Sequence, residues 1–214
     1  MNIANNHLTH IPDCVESLTS LSYFYIDNNN LIRINDWIGN LTALTVLRVH
    51  ANQLTYLPDS IGNLHSLTHL AVSNNQLTQL PDSIGNLVSL SQLYANNNKL
   101  IYLPDSIGNL TSLVRLFLVN NNLTCLPDSI CNLSSLTQLD ICGNLLVRLP
   151  DSIGNLSSLT TLVLCHNKLT RIPDSFASLA SLAYLAVRLN PITSTEEGQA
   201  EVNSRFGRAG LMIV

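Results

Sequence analysis

The sequence predicts an α/β solenoid, a stack of short turns that share one core, and three observations predict it. Pro12, Pro58, Pro81, Pro104, Pro127, Pro150 and Pro173 fall on one register of 23 residues, with Asn35 in the single gap. Each of these positions is followed by an aspartate, in a series from Asp13 to Asp174. A second series, Asn6, Asn29, Asn52, Asn75, Asn98, Asn121, Asn144, Asn167 and Asn190, keeps the same period without a break. Self-similarity at a period of roughly 20–50 residues marks repeat architectures. Eight full copies run from about Ile11 to Ser194, preceded by part of a ninth, and no insertion disturbs the register.

The unit reads LPDSIGNLxSLxxLxLxxNxLxx. In the copy that starts at Pro81, the apolar positions are Ile84, Leu87, Leu90, Leu93, Ala95, Leu100 and Leu103. The spacing of Ile84, Leu87 and Leu90 predicts a short helical or 3-10 turn directly after the proline. Leu93 and Ala95 alternate with Gln92, Tyr94 and Asn96, which is the period of a strand. So few apolar residues cannot close a core alone, but stacked copies can share one. The asparagine column predicts a ladder in which each amide bonds backbone groups where the chain leaves the strand. A buried amide without partners would cost about 1–3 kcal/mol. The Asp column, with the Ser that follows it, is expected to satisfy the amides at the start of each helical turn. Eight carboxylates in line would otherwise suggest a calcium site or a stripe for a basic partner.

The ends depart from the unit. Pro191 follows Asn190, and TSTEEGQAEVNSRFGRAG carries no repeat pattern. Ser194 or Thr195 is placed to cap a short helix with Glu196 and Glu197 in its first turn. We therefore divide the chain into a solenoid, residues 1–194, and a C-terminal capping helix and tail, residues 195–214. The apolar tail from Leu211 to Val214 is expected to pack over the last turn or to be disordered. The first residues begin inside a repeat, where a strand should lie, which suggests a piece of a longer protein or a partner over that end.

Composition excludes several classes. Lys and Arg number 10 against 14 Asp and Glu, and charged residues make up only 11% of the chain. Without a basic run, binding to nucleic acid by phosphate neutralisation is not expected. No apolar stretch is long enough to span a bilayer, and Met1 to His10 lack the basic and apolar regions of a signal peptide. Cys14, Cys125, Cys131, Cys142 and Cys165 are odd in number and show no CxxC spacing. They read as free thiols in a reducing compartment. Asn40, Asn109, Asn122, Asn132 and Asn155 lie in N-x-S/T sequons that the repeat itself generates.

The segments LTHLAVSNNQL, from Leu67 to Leu77, and LSQLYANNNKL, from Leu90 to Leu100, carry the pattern LxxLxLxxNxL. With the LPxxIgxL segment, they resemble the leucine-rich-repeat family in its 23-residue class, over nearly the whole chain. The near-identity of successive LPDSIGNL segments looks most like bacterial effector-type repeats or the plant intracellular Ras-group and Roco-like types. The resemblance implies a curved horseshoe with a parallel sheet on its concave side and short helical segments outside. It also implies a binding module rather than an enzyme.

In that arrangement the residues between the strand leucines form the concave surface. The candidate partner-binding residues there are Tyr23, Tyr25, Arg48, His69, Tyr94, Arg115, Phe117, Asp140, His166, Tyr184 and Arg188. Of eleven aromatic residues in the chain, Tyr23, Tyr25, Tyr94, Phe117 and Tyr184 fall on this face. Exposed Tyr and Arg are the types that dominate binding hot spots. Asp140, Cys142, Cys165 and His166 make a possible metal or nucleophile cluster. The plainer reading is two small thiols in one column, because a solenoid sheet offers no deep pocket. No Gly-rich phosphate loop, nucleophile elbow or HExxH is present, so no catalytic residue, metal or cofactor is expected. The sequence therefore predicts a cytoplasmic, monomeric module that binds a protein on its concave face. The alternative is the recognition part of a bacterial host-directed effector, delivered into a host cell, whose activity (a ubiquitin ligase, for example) lies in a domain beyond these residues.

Overall fold

The computed structural model describes residues 1–206 and 212–214. Each turn contributes one strand of three residues: β1 (Tyr23–Tyr25), β2 (Val46–Arg48), β3 (His69–Ala71), β4 (Gln92–Tyr94), β5 (Arg115–Phe117), β6 (Gln138–Asp140), β7 (Thr161–Val163) and β8 (Tyr184–Ala186). They pair in parallel and in strict chain order, each residue opposite its equivalent one repeat on, as Leu93 is opposite Leu116. The central residue of every strand, from Phe24 to Leu185, is buried in one continuous core. Full burial of a leucine contributes about 1.5–3 kcal/mol, so the core gains with each copy stacked.

Opposite the sheet, each proline, or Asn35, leads into a 3-10 segment such as Asp82–Asn86. Pro81 is extended, with ψ 152°, and the next N–H to bond is that of Ile84, 3.0 Å from the proline carbonyl. Leu87 closes the turn by donating to Ile84 O at 3.1 Å. Strands on one side and bulkier turns on the other give the stack its curve, with the sheet on the concave side.

The capping role expected of the Asp and Ser columns is not what the structure shows. None of the eight 3-10 turns from Asp13–Ser17 to Asp174–Ser178 has a side-chain cap bond: in six the cap position is a proline, which has no polar side chain, and in the other two Asn35 and Ser152 stand there without making the bond. The carboxylates stay exposed in the first turn, while the hydroxyls of Ser60, Ser83, Ser106 and Ser129 are buried without a partner. What fixes this segment is contact between turns. A Cβ at Gly85 would lie 2.5 Å from Ser106 O, and one at Gly108 would lie 2.4 Å from Ser129 O. Cys131 takes the glycine position in its turn, and the 3-10 segment that follows is shortened to Ile153–Asn155.

The asparagine ladder is present. Asn98 Nδ2 donates to Val72 O, Ala95 O and Asn96 O at 3.0–3.2 Å, and its Oδ1 accepts from Leu77 N–H at 3.0 Å. The same set recurs from Asn29 to Asn190, all buried. Asn6 is the exception. It is exposed and bonds Ile3 O and Ala4 O, both within its own turn. A neighbouring column has a separate role. Asn5, Asn28, Ala51, Asn74, Asn97, Asn120, His166 and Leu189 all have φ between 52° and 59°, with Gly143 at 69°. The chain turns out of the strand there through the left-handed region, which asparagine tolerates better than most residues.

At the C-terminal end, α1 (Glu196–Phe206) packs against the 3-10 segments Asp174–Ser178 and Pro191–Thr193 and buries Val202 completely. Thr195 Oγ1 accepts from Gly198 N–H at 3.1 Å. The tail does more than pack on the last turn. Met212–Ile213 forms β9, parallel to β8, and Val214 continues the pairing to Val187. Leu211 lies outside the described residues. At the other end Asn2 bridges Tyr25, and Ile3 N–H donates to Tyr25 O at 2.9 Å, so the partial first repeat extends the sheet.

Candidate functional site

Parallel strands in register turn sequence columns into spatial columns. Three run across the concave face. One holds Tyr23, Val46, His69, Gln92, Arg115, Gln138, Thr161 and Tyr184. The middle one holds Tyr25, Arg48, Ala71, Tyr94, Phe117, Asp140, Val163 and Ala186. The third, just past the strands, holds Asp27, His50, Ser73, Asn96, Val119, Cys142, Cys165 and Arg188.

The predicted site residues all take outward positions, but they do not form one cluster. Tyr25, Arg48, His69 and Tyr94 share a depression of about 530 Å³ with Val46, His50, Ala71, Ser73 and Gln92. Phe117 adjoins it, its ring centroid 5.2 Å from that of Tyr94 and tilted by 39°. Arg115 is tied to the next strand, its Nε donating to Gln138 Oε1 at 3.2 Å. Tyr23 is exposed at the start of the sheet. The rest lie at the far end. Asp140 accepts from Cys142 N–H at 3.1 Å, and burial raises its pKa against the lowering effect of that bond. His166 is one of the left-handed residues at a strand exit and is exposed there. Tyr184 is half-buried opposite Met212, and Arg188 is exposed beside the tail, its N–H donating to Val214 O at 3.3 Å.

The strongest polar feature of the face is centred on a residue outside that set. Asp27 is 4% exposed, yet it is an acid. Arg48 Nε lies 3.0 Å from its Oδ2 and His50 Nδ1 lies 2.6 Å from its Oδ1, where His50 N–H also donates at 3.2 Å. A buried carboxylate is tolerated when paired in this way. The pairing fixes both neighbours. Arg48 is held with its guanidinium 5.4 Å from the Tyr25 ring centroid, and His50 keeps a proton on Nδ1. His69 is fixed similarly. The Thr68 hydroxyl donates to Thr45 O at 2.9 Å, so it accepts from His69 Nδ1 at 2.8 Å. The register could have revealed the Asp27 group, since His50 lies one repeat on in the same column and Arg48 two residues before it.

The five cysteines are free. Burial, and secondarily Asp128, pushes the Cys131 thiol up to about 11. Cys142 is also raised, first by burial and then by Cys165 and Asp140, against Arg188. Among the described residues no group of three or more His, Cys, Asp or Glu side chains could hold a metal ion, and no helix is long and apolar enough to cross a membrane.

A larger groove of about 1020 Å³ lies on the outer flank between Tyr56 and Tyr102, floored by Pro58 and Pro81. Related grooves recur at Leu126–Asp128 with Leu149–Ser152, and at Ile172–Ser175. They follow from the repeated Pro-Asp-Ser segment, whereas the sheet depression is built from residues that differ between copies. The sheet depression is therefore the candidate site.

Residues 46–142 match a family model described as a leucine-rich repeat region, and residues 134–192 match another described as leucine rich repeat. Together the two leucine-rich-repeat models take in residues 46–192. No curated protein matches the chain in sequence. Among solved structures it is similar to a leucine-rich-repeat protein of Leptospira interrogans, at 28% identity and a TM-score of 0.80, over 100% of this chain and 59% of that one. An internalin from Listeria monocytogenes shares the fold at 24% identity and a TM-score of 0.83, over 99% of this chain and 59% of that one. The ectodomain of a plant membrane receptor kinase from Arabidopsis thaliana, solved in complex with Casparian strip integrity factor 2, is 30% identical with a TM-score of 0.77. That match covers 95% of this chain and 26% of the receptor ectodomain. The leucine-rich repeats described here thus span 59% of the length of each bacterial relative.

Proposed function

We propose that this leucine-rich-repeat chain is a non-catalytic binding module that takes a protein or peptide partner on its concave sheet. The observation that carries the reading is the middle column from Tyr25 to Phe117. It gathers three aromatic rings and a positioned arginine on the open face of neighbouring strands, while the outer turns repeat DSIGN almost unchanged. Aromatic side chains bury large area with few rotatable bonds, and a planar guanidinium bonds carboxylates bidentately. The receptor ectodomain solved with its factor supports the same use of the fold. In this reading the contact set is Tyr23, Tyr25, Arg48, His69, Tyr94, Arg115, Phe117, Asp140, His166, Tyr184 and Arg188, with its centre at Tyr94 and Phe117. Residues 1–194 are the recognition unit, and 195–214 cover its C-terminal end.

The likeness to two bacterial proteins favours one finer version. There the chain is the recognition part of a host-directed effector with effector-type 23-residue repeats, acting in a host cytoplasm beside an activity carried elsewhere. Affinity capture on the intact chain, compared with Tyr94→Ala combined with Phe117→Ala, tests the shared core of both versions. A protein retained by the first and lost by the second supports the concave reading. Equal retention by both overturns it.

A further inference from the structure

The middle column is a row of flat groups with one member missing. Arg48 lies 5.4 Å from the Tyr25 ring centroid, and Tyr94 lies 5.2 Å from that of Phe117. Both spacings are close to the strand repeat of about 4.8 Å, so each side chain lies against its neighbour across one strand, the Tyr94 and Phe117 rings tilted by 39°. Between the two pairs stands Ala71, whose register partners are Arg48 on one side and Tyr94 on the other. Its methyl group leaves a gap between the guanidinium and the phenol ring, whose strands stand two spacings, about 10 Å, apart. A ring packed offset against both neighbours, at a centroid distance of about 4.5–7 Å from each, spans that separation. The gap is the floor of the 530 Å³ depression.

The walls narrow the chemistry. No carboxylate lines the depression, because Asp27 sits beneath it, shared by Arg48 and His50. His50 directs Nδ1–H toward Asp27 and His69 directs Nδ1–H toward Thr68, so in each ring Nε2 is the nitrogen left to meet an incoming group. The Tyr94 hydroxyl donates to Gln92 Oε1 at 2.5 Å, which leaves the Gln92 amide hydrogens for an acceptor. An arginine face attracts an aromatic ring through its quadrupole, and Tyr94 accepts it by offset stacking.

We propose that the gap over Ala71 is a slot for one aromatic side chain of the partner, a phenol above all, held between Arg48 and Tyr94 with its hydroxyl donating to a histidine Nε2. The slot rests on the concave-face reading and specifies what that face selects.

The test is a titration of the full chain with N-acetyl-tyrosinamide, read by NMR at the Ala71 methyl and the Tyr94 ring. Saturable ring-current shifts in the millimolar range are expected. N-acetyl-phenylalaninamide should bind several-fold more weakly, and N-acetyl-leucinamide and N-acetyl-glutamine at least tenfold more weakly. Ala71→Leu, which fills the gap at an outward position, should abolish the shifts while the Tyr94–Phe117 ring contact persists. Arg48→Lys, which keeps the charge beside Asp27 but loses the planar face, should weaken binding several-fold. Absence of saturable shifts, equal binding by the leucine analogue, or indifference to Ala71→Leu overturns the slot. Tighter binding of N-acetyl-glutamate amide than of the tyrosine probe also overturns it, in favour of an anion site. A captured protein that is lost with Tyr94→Ala and Phe117→Ala but unaffected by Ala71→Leu would sink the slot alone and leave the concave reading intact.

Discussion

The outer turns and the inner sheet of this molecule are made by the same 23-residue unit, yet they differ in how freely their residues vary. The outer segment reads DSIGN in three successive turns, at 59–63, 82–86 and 105–109. The middle column of the sheet reads Tyr, Arg, Ala, Tyr, Phe, Asp over its first six strands. Contact explains the contrast. On the outside, turns touch through atoms that leave no room, a glycine hydrogen against a serine carbonyl. On the sheet, strands touch through backbone hydrogen bonds that every residue but proline supplies, and alternate side chains project into the open. Uniformity on one side is therefore a packing requirement, and variety on the other is where partner choice can be written.

Four changes would break or sharpen that contrast. Gly85→Ala should cost roughly 3 kcal/mol, because its Cβ meets backbone rather than a movable side chain. A denaturant titration showing less than about 0.5 kcal/mol would mean the turns are not clamped as described. Asn98→Ala should cost about 2 kcal/mol, chiefly by stranding the Leu77 amide, since the Val72, Ala95 and Asn96 carbonyls each keep another donor; Asn97→Gly, one residue earlier, should cost no more than about 1 kcal/mol, since it gives up only exposed side-chain bonds to Asn74 and Asn120 and glycine suits the left-handed backbone there. Ser106→Ala should be neutral or stabilise by a few tenths of a kcal/mol, as its buried hydroxyl has no partner to lose. The smallest effect is chemical rather than energetic. Native protein should alkylate first at exposed Cys14 and Cys125 and last at Cys131, whose thiol stays protonated until pH rises toward about 11. After denaturation without reductant, all five cysteines should react.

Much of this was legible in the sequence, for identifiable reasons. A 23-residue period with apolar residues at fixed places left one way to bury them, so the strands and the Asn29 to Asn190 ladder could be placed by counting. The Asp and Ser columns misled because cap preferences describe α-helices entered from a Ser or Asp. Here proline holds the entry and the turn is 3-10. The left-handed column from Asn5 to Leu189 carries little sign of its backbone role in the sequence beyond Gly143 in its register. β9 was hidden because an apolar tail of four residues carries no period. Ala71 drew no notice because a small residue is informative only once its neighbours are known to be flat. The tightness of the Asp27 group depends on burial, which a concave column alone does not reveal.

The central claim is that the middle column of the sheet meets the partner, and one comparison tests it most directly. With the captured partner in hand, calorimetry should compare the unaltered chain, Tyr94→Ala with Phe117→Ala, and outer controls Ser106→Ala and His65→Ala. A hot spot on the sheet predicts at least about 2 kcal/mol lost in the double variant, roughly a 30-fold rise in Kd. The controls should stay within a factor of about two of the unaltered chain, and all variants should keep their cooperative unfolding. An unchanged Kd in the double variant, with weaker binding in the controls, would contradict the account and move recognition to the outer turns.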